Sequence, residues 1–246
     1  MIDVHGHLWL GSIEENRRQV LQLCSRYGVE KVFISTLGGQ YPTQQQVYLA
    51  NSETAAFMRL HPGLVQGWVY VNPRLEDACE TVQSGLNAGM RGIKLWVDSY
   101  CDDPRVWPLA ELAMRRGVPL LVHAFYKAQG QWPDESRGSH VAALARRFPG
   151  LSIIMAHMGA NVYDAVRCVE DCPNVCTDIS GSLFGREDLN YTLARLGAGR
   201  VLFGSDMPGS FEVCVGQVLG ANLDEAGRKR VFEDNARALF RLEVEA

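Results

Sequence analysis

The sequence lacks several features that would indicate a membrane, a nucleic acid or a secreted location. It has no run of about 18 apolar residues, so no membrane-spanning helix is predicted. It has no block of lysine and arginine, and its net charge of −4 disfavours a nucleic-acid-binding surface. No cationic segment followed by an apolar stretch is found near residue 1, so no secretory signal is expected. These absences predict a cytoplasmic protein that binds neither membranes nor nucleic acids.

The cysteines form no pattern that demands a disulfide or a metal. Without a secretory signal, the seven cysteines are expected to be free thiols in a reducing compartment. Cys168, Cys172 and Cys176 form a C-x3-C-x3-C run, but the run crosses from a predicted helix into the next strand. No fourth ligand lies nearby in the sequence. A metal cluster is therefore the weaker interpretation, and buried small apolar side chains are the stronger one.

Short apolar runs alternate with helical patterns along the whole chain. Several runs are apolar on both faces, which is typical of parallel strands buried between layers. Predicted strands cover 1–5, 31–36, 66–71, 91–97, 119–124, 152–157, 175–180 and 201–205. Predicted helices cover 13–27, 44–60, 75–88, 104–116, 139–147, 161–171, 186–196 and 224–241. Eight such units in 246 residues predict an α/β fold, a single (β/α)8 TIM barrel that spans residues 1–246 as one domain.

Histidines and an aspartate fall where predicted strands end. His5 and His7, in "MIDVHGHLWL", are two positions apart on strand 1, so their side chains share a face and can reach one ion. His123, His157 and Asp206 end strands 5, 6 and 8. Active sites of such barrels lie at these carboxyl ends. Imidazole and carboxylate suit zinc and similar divalent ions, so the sequence predicts a shared metal site with zinc as the first candidate.

Each of these residues also has an ordinary explanation when it is taken alone. A histidine at a strand end is often a hydrogen-bonded structural residue. Lys94, in "GIKLW", could be a surface lysine whose stem covers apolar residues. The "GSD" before Met207 could be a turn that caps a helix. The placement of all these groups at one rim of the barrel favours the functional interpretation. His61 and His140 are predicted to be surface or rim residues.

The ordered set of H-x-H, lysine, histidine, histidine and aspartate resembles the amidohydrolase superfamily. More narrowly, the chain is similar to the amidohydrolase-related group (amidohydrolase 2) of metal-dependent barrel hydrolases, which includes aminocarboxymuconate-semialdehyde decarboxylase. The segment "VFEDNARALF" (231–240) is similar to the closing helix of that group. The resemblance spans nearly the whole chain, but it does not fix a substrate or one chemistry.

The resemblance implies roles for the individual residues. His5, His7 and Asp206 would bind the first metal ion, and His123 would be the ligand on strand 5. His157 would either bind a second ion or steady a bound water or substrate. These implied roles make Asp206 and His157 the candidate catalytic residues.

Lys94 decides between one ion and two. It matches the position at which some members of the superfamily carry a carbamylated lysine that bridges two metal ions. A charged lysine has no acceptor lone pair and cannot itself bind a metal. Segments similar to "GIKLH" also occur in members of the superfamily with one ion, so both metal counts stay open.

A hydrolase is the first functional expectation. The metal would activate a water to attack an amide, ester or lactone carbonyl, and Asp206 would accept a proton. A metal-dependent decarboxylase of an aromatic or unsaturated acid is the alternative, and a barrel that binds a ligand without turnover is a third hypothesis. The partner is expected to be a small molecule, and a homodimer is left open.

Several side chains near the predicted ligands could contact that small molecule. Trp9, Trp96, Phe125 and Tyr126 could form an aromatic wall, or they could be ordinary loop packing. Lys127 and Arg137 could pair with a substrate carboxylate. Solvated surface charges are the stronger interpretation for these two cations.

Overall fold

The computed structural model of the chain describes residues 1–181 and 185–243. Eight strands lie in sequential order in one sheet, and every neighbouring pair is parallel. The strands are β1 (Ile2–Trp9), β2 (Lys31–Leu37), β3 (Val65–Tyr70), β4 (Gly92–Leu95), β5 (Leu120–Val122), β6 (Ile153–Met155), β7 (Val175–Asp178) and β8 (Val201–Leu202). The predicted (β/α)8 barrel is thereby confirmed.

Helices connect the strands. They are α1 (Ile13–Tyr27), α2 (Gln44–Leu60), α3 (Ala78–Asn87), α4 (Trp107–Arg116), α5 (Gly138–Arg147), α6 (Val162–Val169), α7 (Arg186–Leu196), α8 (Phe211–Gly220), α9 (Glu225–Lys229) and α10 (Asn235–Phe240). A π-helical turn, Arg230–Asp234, joins α9 to α10, so the predicted helix 224–241 is a continuous but irregular segment. Within the described ranges, none of the helices has the length and apolarity that a membrane span requires.

Main-chain hydrogen bonds between β1 and the segment that follows β8 close the barrel. The Val4 N–H donates to the Phe203 carbonyl at 3.0 Å, and the His7 N–H donates to the Met207 carbonyl at 2.9 Å. The Asp206 N–H donates to the His5 carbonyl at 2.8 Å. This closure places Asp206 directly beside the two histidines of β1.

Apolar side chains fill the amino-terminal half of the barrel interior. Ile2, Phe33, Trp68, Leu121 and Ile154 are fully or almost fully buried there, and Phe240 packs against this layer from α10. The Trp68 indole N–H donates to the Val4 carbonyl at 2.9 Å, so its polar atom is satisfied in the core. The polar residues of the interior therefore lie above this layer, toward the carboxyl ends of the strands.

Candidate metal centre and pocket

His5 and His7 face one another from the same side of β1. Their Nε2 atoms are 3.0 Å apart, and their rings meet edge to face at a centroid distance of 4.8 Å. Both residues are buried. The strand continues to Trp9, so the two histidines lie inside β1 rather than at its end. The predicted sharing of one face is confirmed by this geometry.

Asp206 brings a carboxylate to the same place. Its Oδ1 lies 3.2 Å from His7 Nε2 and 3.9 Å from His5 Nε2. Its backbone is in the left-handed region, with φ of 57°, which is uncommon outside glycine and recurs at functional sites. Burial raises the pKa of this carboxyl, but His7, His5, His157 and Lys94 outweigh it and hold the pKa well below its ordinary value. Asp206 is therefore ionised at neutral pH.

The surroundings of the two histidines favour a proton on Nδ1. His7 Nδ1 lies 3.1 Å from the Ser35 carbonyl, which can only accept, and 2.9 Å from the Ser35 hydroxyl, which can accept as well; with the proton on Nδ1, His7 Nε2 carries a lone pair. His5 Nδ1 lies 2.9 Å from Asp178 Oδ2, and the same argument applies to His5 Nε2. Burial lowers the pKa of His7 to about 3 and that of His5 well below its ordinary value, so both rings are neutral.

Three acceptors consequently converge on one point. His5 Nε2, His7 Nε2 and Asp206 Oδ1 lie within 4.8 Å of one another, a spacing that suits one metal ion. Acceptors at such distances repel unless a cation or a donor lies between them. The two Nδ1 atoms are held by Asp178 and Ser35, which is the usual way in which metal-binding histidines are oriented. The residues present therefore fit a divalent cation.

Asp178, at the end of β7, is a site residue that sequence reasoning missed. It is fully buried, and its second oxygen accepts the His157 N–H at 2.9 Å and the Ser180 N–H at 3.1 Å. It also belongs to a second group of possible ligands with His5 and His157. The sequence did contain a signal for Asp178. In "VCTDIS" it is a polar residue at the end of an apolar strand, and His123 and His157 occupy the same kind of position.

A close approach of three strands depends on Gly204, just after β8. A Cβ atom at this position would lie 2.9 Å from the Asp178 Cβ and 3.0 Å from the His5 Cβ. Any other residue would push these side chains apart. Glycine therefore allows the pair of His5 and Asp178 to form at the floor of the site.

Lys94 lies in the same layer and is fully buried. Its Nζ is 3.0 Å from His5 Nε2, so a charged Lys94 donates to the nitrogen that faces the metal position. Burial lowers the pKa of Lys94 to about 8, against the opposing effect of Asp206 and Asp178. The neutral amine, which is the form that reacts with carbon dioxide, is thus accessible near neutral pH. Carbamylation of Lys94 and the number of ions stay predictions.

His157 and His123 form a second polar chain beside the acceptors. His157 Nε2 lies 3.0 Å from His123 Nδ1, and His123 Nε2 lies 2.9 Å from Glu135 Oε1. His157 Nδ1 lies 2.9 Å from Ser180 Oγ. Burial lowers the pKa of His157 to about 4, and it also lowers that of His123.

The ring nitrogens of His123 are thus engaged by His157 and Glu135 rather than directed at His5 and His7. The predicted role of His123 as a metal ligand stays a prediction. Glu135, in the segment after β5, carried no signal in the sequence, because no strand end or motif marks it.

Above these groups lies a pocket of about 230 Å³. Its lining combines polar side chains with apolar walls from the ends of β1 and β2 and from the segments after β4 and β5. The lining residues are His7, Trp9, Leu37, Trp96, His123, Phe125, Lys127, Trp132, Glu135, His157 and Asp206. Trp9, Trp96 and Trp132 meet edge to face, with centroid distances of 5.7 and 6.1 Å. The pocket is smaller than the roughly 300–1,000 Å³ of sites for drug-sized ligands, so it suits a molecule with one ring.

The other sequence-predicted contact residues divide between the pocket and its surroundings. Trp9, Trp96, Phe125 and Lys127 line the pocket. For the three aromatic residues this is one of the two alternatives that the sequence left open, whereas for Lys127 the sequence favoured a solvated surface charge. Tyr126 and Arg137 do not appear in the lining, and the Arg137 guanidinium lies 4.5 Å from the centre of the Tyr126 ring.

His61 and His140 lie apart from the candidate ligands. The His61 ring packs on Phe57 at the end of α2, with a centroid distance of 5.3 Å. His140 Nδ1 accepts the Arg137 N–H at the start of α5, at 3.1 Å. Both histidines thus have structural partners at helix ends.

The fold and the acceptors together define the class of this protein. It is a (β/α)8 barrel with a candidate metal-dependent site at the carboxyl ends of its strands. The sequence model of the Amidohydrolase family matches residues 2–242, and the chain therefore belongs to this family. No curated protein matches the sequence at a significant level.

Solved structures with the same fold include enzymes of more than one type. 2,6-Dihydroxybenzoate decarboxylase from Rhizobium is 18% identical, with a TM-score of 0.78 over 98% of each chain. Dihydroxybenzoic acid decarboxylase from Polaromonas sp. JS666, solved with manganese and the inhibitor 2-nitroresorcinol, is 19% identical, with a TM-score of 0.77 over 98% of this chain and 96% of that one. 4-Oxalomesaconate hydratase from Rhodopseudomonas palustris is 16% identical, with a TM-score of 0.74 over 98% and 95%. At these identities the likeness establishes the fold alone.

Proposed function

We propose that the protein is a metal-dependent decarboxylase of a small aromatic carboxylic acid. The observation that carries this proposal is the pocket itself, in which aromatic side chains stand directly above the converging acceptors of His5, His7 and Asp206. A flat ring fits between such walls while its carboxylate faces the floor. The two decarboxylases with the same fold support this chemistry better than the hydrolase that the sequence first suggested.

The residues present would hold a divalent ion through His5 Nε2, His7 Nε2 and Asp206 Oδ1. When bound, such an ion supplies positive charge that attracts oxygen atoms of an acid and stabilises negative charge that develops in the reaction. Zinc was the first candidate from the ligand types, and manganese is supported by its presence in the Polaromonas enzyme.

Decarboxylation breaks the bond between the ring carbon and the carboxyl carbon. The electron pair stays on the ring carbon, carbon dioxide leaves, and one proton must be delivered to that carbon. Trp9, Trp96 and Trp132 would orient the ring and exclude water, so that bulk water does not protonate the ring carbon. The wall thus favours a single, guided proton transfer.

Asp206 and His157 line the pocket and are the groups assigned to that proton transfer. Asp206 is ionised in the resting site, so it would first take up a proton from water and then pass it to the ring carbon. His157 Nε2 is linked through His123 to Glu135. This link connects His157 to a buried carboxylate and sets its orientation. Proton transfer by a positioned group contributes typically about 10²–10⁴-fold to a rate.

The test is to assay the protein, loaded with manganese or with zinc, against hydroxybenzoates and also against amides and lactones. In deuterated water a decarboxylase releases carbon dioxide and leaves one deuterium on the carbon that lost it. Mass spectrometry of the product measures this label. Incorporation of ¹⁸O from labelled water without release of carbon dioxide would instead identify a hydrolase and overturn the proposal.

A further inference from the structure

We propose that Lys127 binds a second oxyanion of the substrate, a carboxylate or phenolate placed across the ring from the carboxylate that reacts. This inference rests on the proposed function, which identifies the first acidic group of the substrate as the carboxylate that reacts. It adds a substrate class, namely aromatic acids with two acidic groups on opposite sides of one ring.

Lys127 is the cation that the pocket presents to a ligand. Among the described residues that line the pocket, it alone is a lysine or an arginine. Lys94 is fully buried below the pocket against His5, and the Arg137 guanidinium stacks on Tyr126 outside the lining. An anionic group on the substrate therefore has one positive side chain to meet besides the metal position.

The order of the strands places Lys127 opposite the acceptors. His5 and His7 lie on β1 and Asp206 follows β8, whereas Lys127 follows β5. In a closed barrel of eight strands in sequential order, β5 is the strand across the barrel from β1. A ring in the pocket can therefore touch the acceptors with one edge and Lys127 with the other.

The ammonium of Lys127 is held in a built position. Its Nζ lies 2.8 Å from Glu135 Oε1, 4.1 Å from the centre of the Trp132 ring and 5.5 Å from that of Phe125. Its main-chain N–H donates to Gln131 Oε1 at 2.9 Å. The side chain is 25% exposed, and that of Glu135 only 1%. A buried carboxylate and aromatic faces thus hold Lys127 in place, in contrast to a lysine on an open surface.

In the ion pair of Lys127 and Glu135, the lysine ammonium keeps hydrogen-bond donors that Glu135 does not use. Glu135 already accepts from His123 and Lys127 through Oε1, and from Gln131 at 2.7 Å and the Trp132 N–H at 3.3 Å through Oε2. A lysine ammonium has three donors, and among the described residues Lys127 uses one of them, on Glu135. The remaining donors are available to an oxyanion in the pocket.

The experiment measures the binding of benzoate, phthalate (1,2-diacid) and terephthalate (1,4-diacid) to the metal-loaded protein by quenching of tryptophan fluorescence. A charge-assisted hydrogen bond should make terephthalate bind about 10- to 100-fold more tightly than benzoate. Phthalate should gain much less, because its second carboxylate lies on the wrong side of the ring. Lys127→Met should bring the ratio of terephthalate affinity to benzoate affinity close to 1, whereas Lys127→Arg should retain most of the wild-type ratio.

Arg137→Met is the matched control, since it removes a cation of the same segment outside the pocket, and it should keep the wild-type preference. Circular dichroism checks folding, with Lys127→Gln as the substitute if Lys127→Met is unfolded. A terephthalate-to-benzoate ratio that is the same in wild type and in the Lys127 variants would overturn the inference. Because affinity is measured without turnover, failure to release carbon dioxide would count against the proposed function alone.

Discussion

At the scale of single residues, Asp178 orients the site without lying in the pocket. One of its oxygens accepts from His5, and the other accepts from the main chain of His157 and Ser180. It therefore fixes the tautomer of one candidate ligand and the position of a second histidine. Its importance follows from hydrogen bonds that reach three other residues, and not from contact with a substrate.

Replacement of Asp178 by asparagine should weaken metal binding. An amide can present its NH2 group to His5 Nδ1 and no longer fixes the proton there, so His5 Nε2 loses part of its donor strength. Loss of such an orienting partner typically lowers metal affinity by about 10- to 100-fold. Competition with a chelator measures this affinity. Asp171→Asn, which changes an exposed aspartate paired with Arg146, is the control; equal metal affinity in the two variants would show that Asp178 has no orienting role.

Asp206→Asn should separate metal binding from chemistry. Asparagine keeps the shape and one oxygen ligand but loses the charge and the ability to take up a proton. We expect the variant to keep part of its metal and its fold, while its catalytic rate falls by about 10²–10⁴-fold or more. Metal content and rate should be measured on one preparation. A metal-replete variant that works at nearly the wild-type rate would remove Asp206 from the proton transfer.

At the scale of elements, the segment between β5 and α5 joins the pocket to its neighbours. Asp134 in this segment accepts from the Tyr41 hydroxyl at 2.6 Å and pairs with Arg74 at 2.9 Å. The Arg74 Nε–H donates to the Asp98 carbonyl at 2.5 Å. Segments that follow four strands are therefore connected around the mouth of the pocket.

Asp98, in the segment after β4, makes the stability of the folded protein depend on pH. It is buried, it accepts from the Tyr70 hydroxyl at 3.0 Å, and burial raises its pKa to about 7 from 3.8. The folded protein therefore holds a proton that the unfolded chain releases between these values, and the free energy of unfolding falls as the pH rises through that window. The shift corresponds to at most about 4 kcal/mol.

Asp98→Asn should consequently reduce this dependence, because asparagine stays neutral and still accepts from Tyr70. Asp3, whose pKa burial also raises to about 7, keeps its own contribution in the variant. Unfolding by denaturant at pH 5 and pH 8 measures the change in wild type, in the variant and in Asp102→Asn, a partly buried aspartate of the same segment, as the control. If the wild type and Asp98→Asn lose the same stability between the two pH values, the carboxyl of Asp98 is not the source.

Most elements could be predicted from the sequence because the apolar runs and the glycine and proline positions that bound them are local signals. Helix α8, Phe211–Gly220, was missed because it is mostly apolar, has a glycine inside it and lacks a clear polar face. Glu135 was missed for another reason. Its function depends on partners 12 and 8 residues away that are brought together by a loop with no periodic pattern. Trp132 was missed likewise.

At the scale of the whole molecule, the candidate metal centre lies across the seam of the barrel. Its acceptors come from β1 and from the segment after β8, and few main-chain hydrogen bonds join these two elements. An ion that binds the folded chain and not the unfolded one adds stability in proportion to the logarithm of its concentration. The metal should thus act on the stability of the barrel as well as on its chemistry.

Removal of metal by a chelator should therefore lower the melting temperature. A ligand at about 100 times its dissociation constant adds about 2.7 kcal/mol, which corresponds to roughly 5–10 °C for a domain of this size. Calorimetry before and after chelation, and after addition of manganese or zinc, measures the effect. His7→Ala should melt at the same temperature with and without added metal, and His61→Ala should respond as the wild type does. An unchanged melting temperature of the wild type would argue against an ion at the seam.

The position of the metal centre at the seam also determines when the centre can form during synthesis of the chain. The ribosome makes His5 and His7 some 200 residues before it reaches Asp206. At typical elongation rates of about 5–20 residues per second, the two histidines wait for roughly ten seconds or more without their third partner. A nascent or prematurely terminated chain that lacks β8 cannot assemble the metal centre, so the chemistry is withheld until nearly the whole barrel has been synthesised.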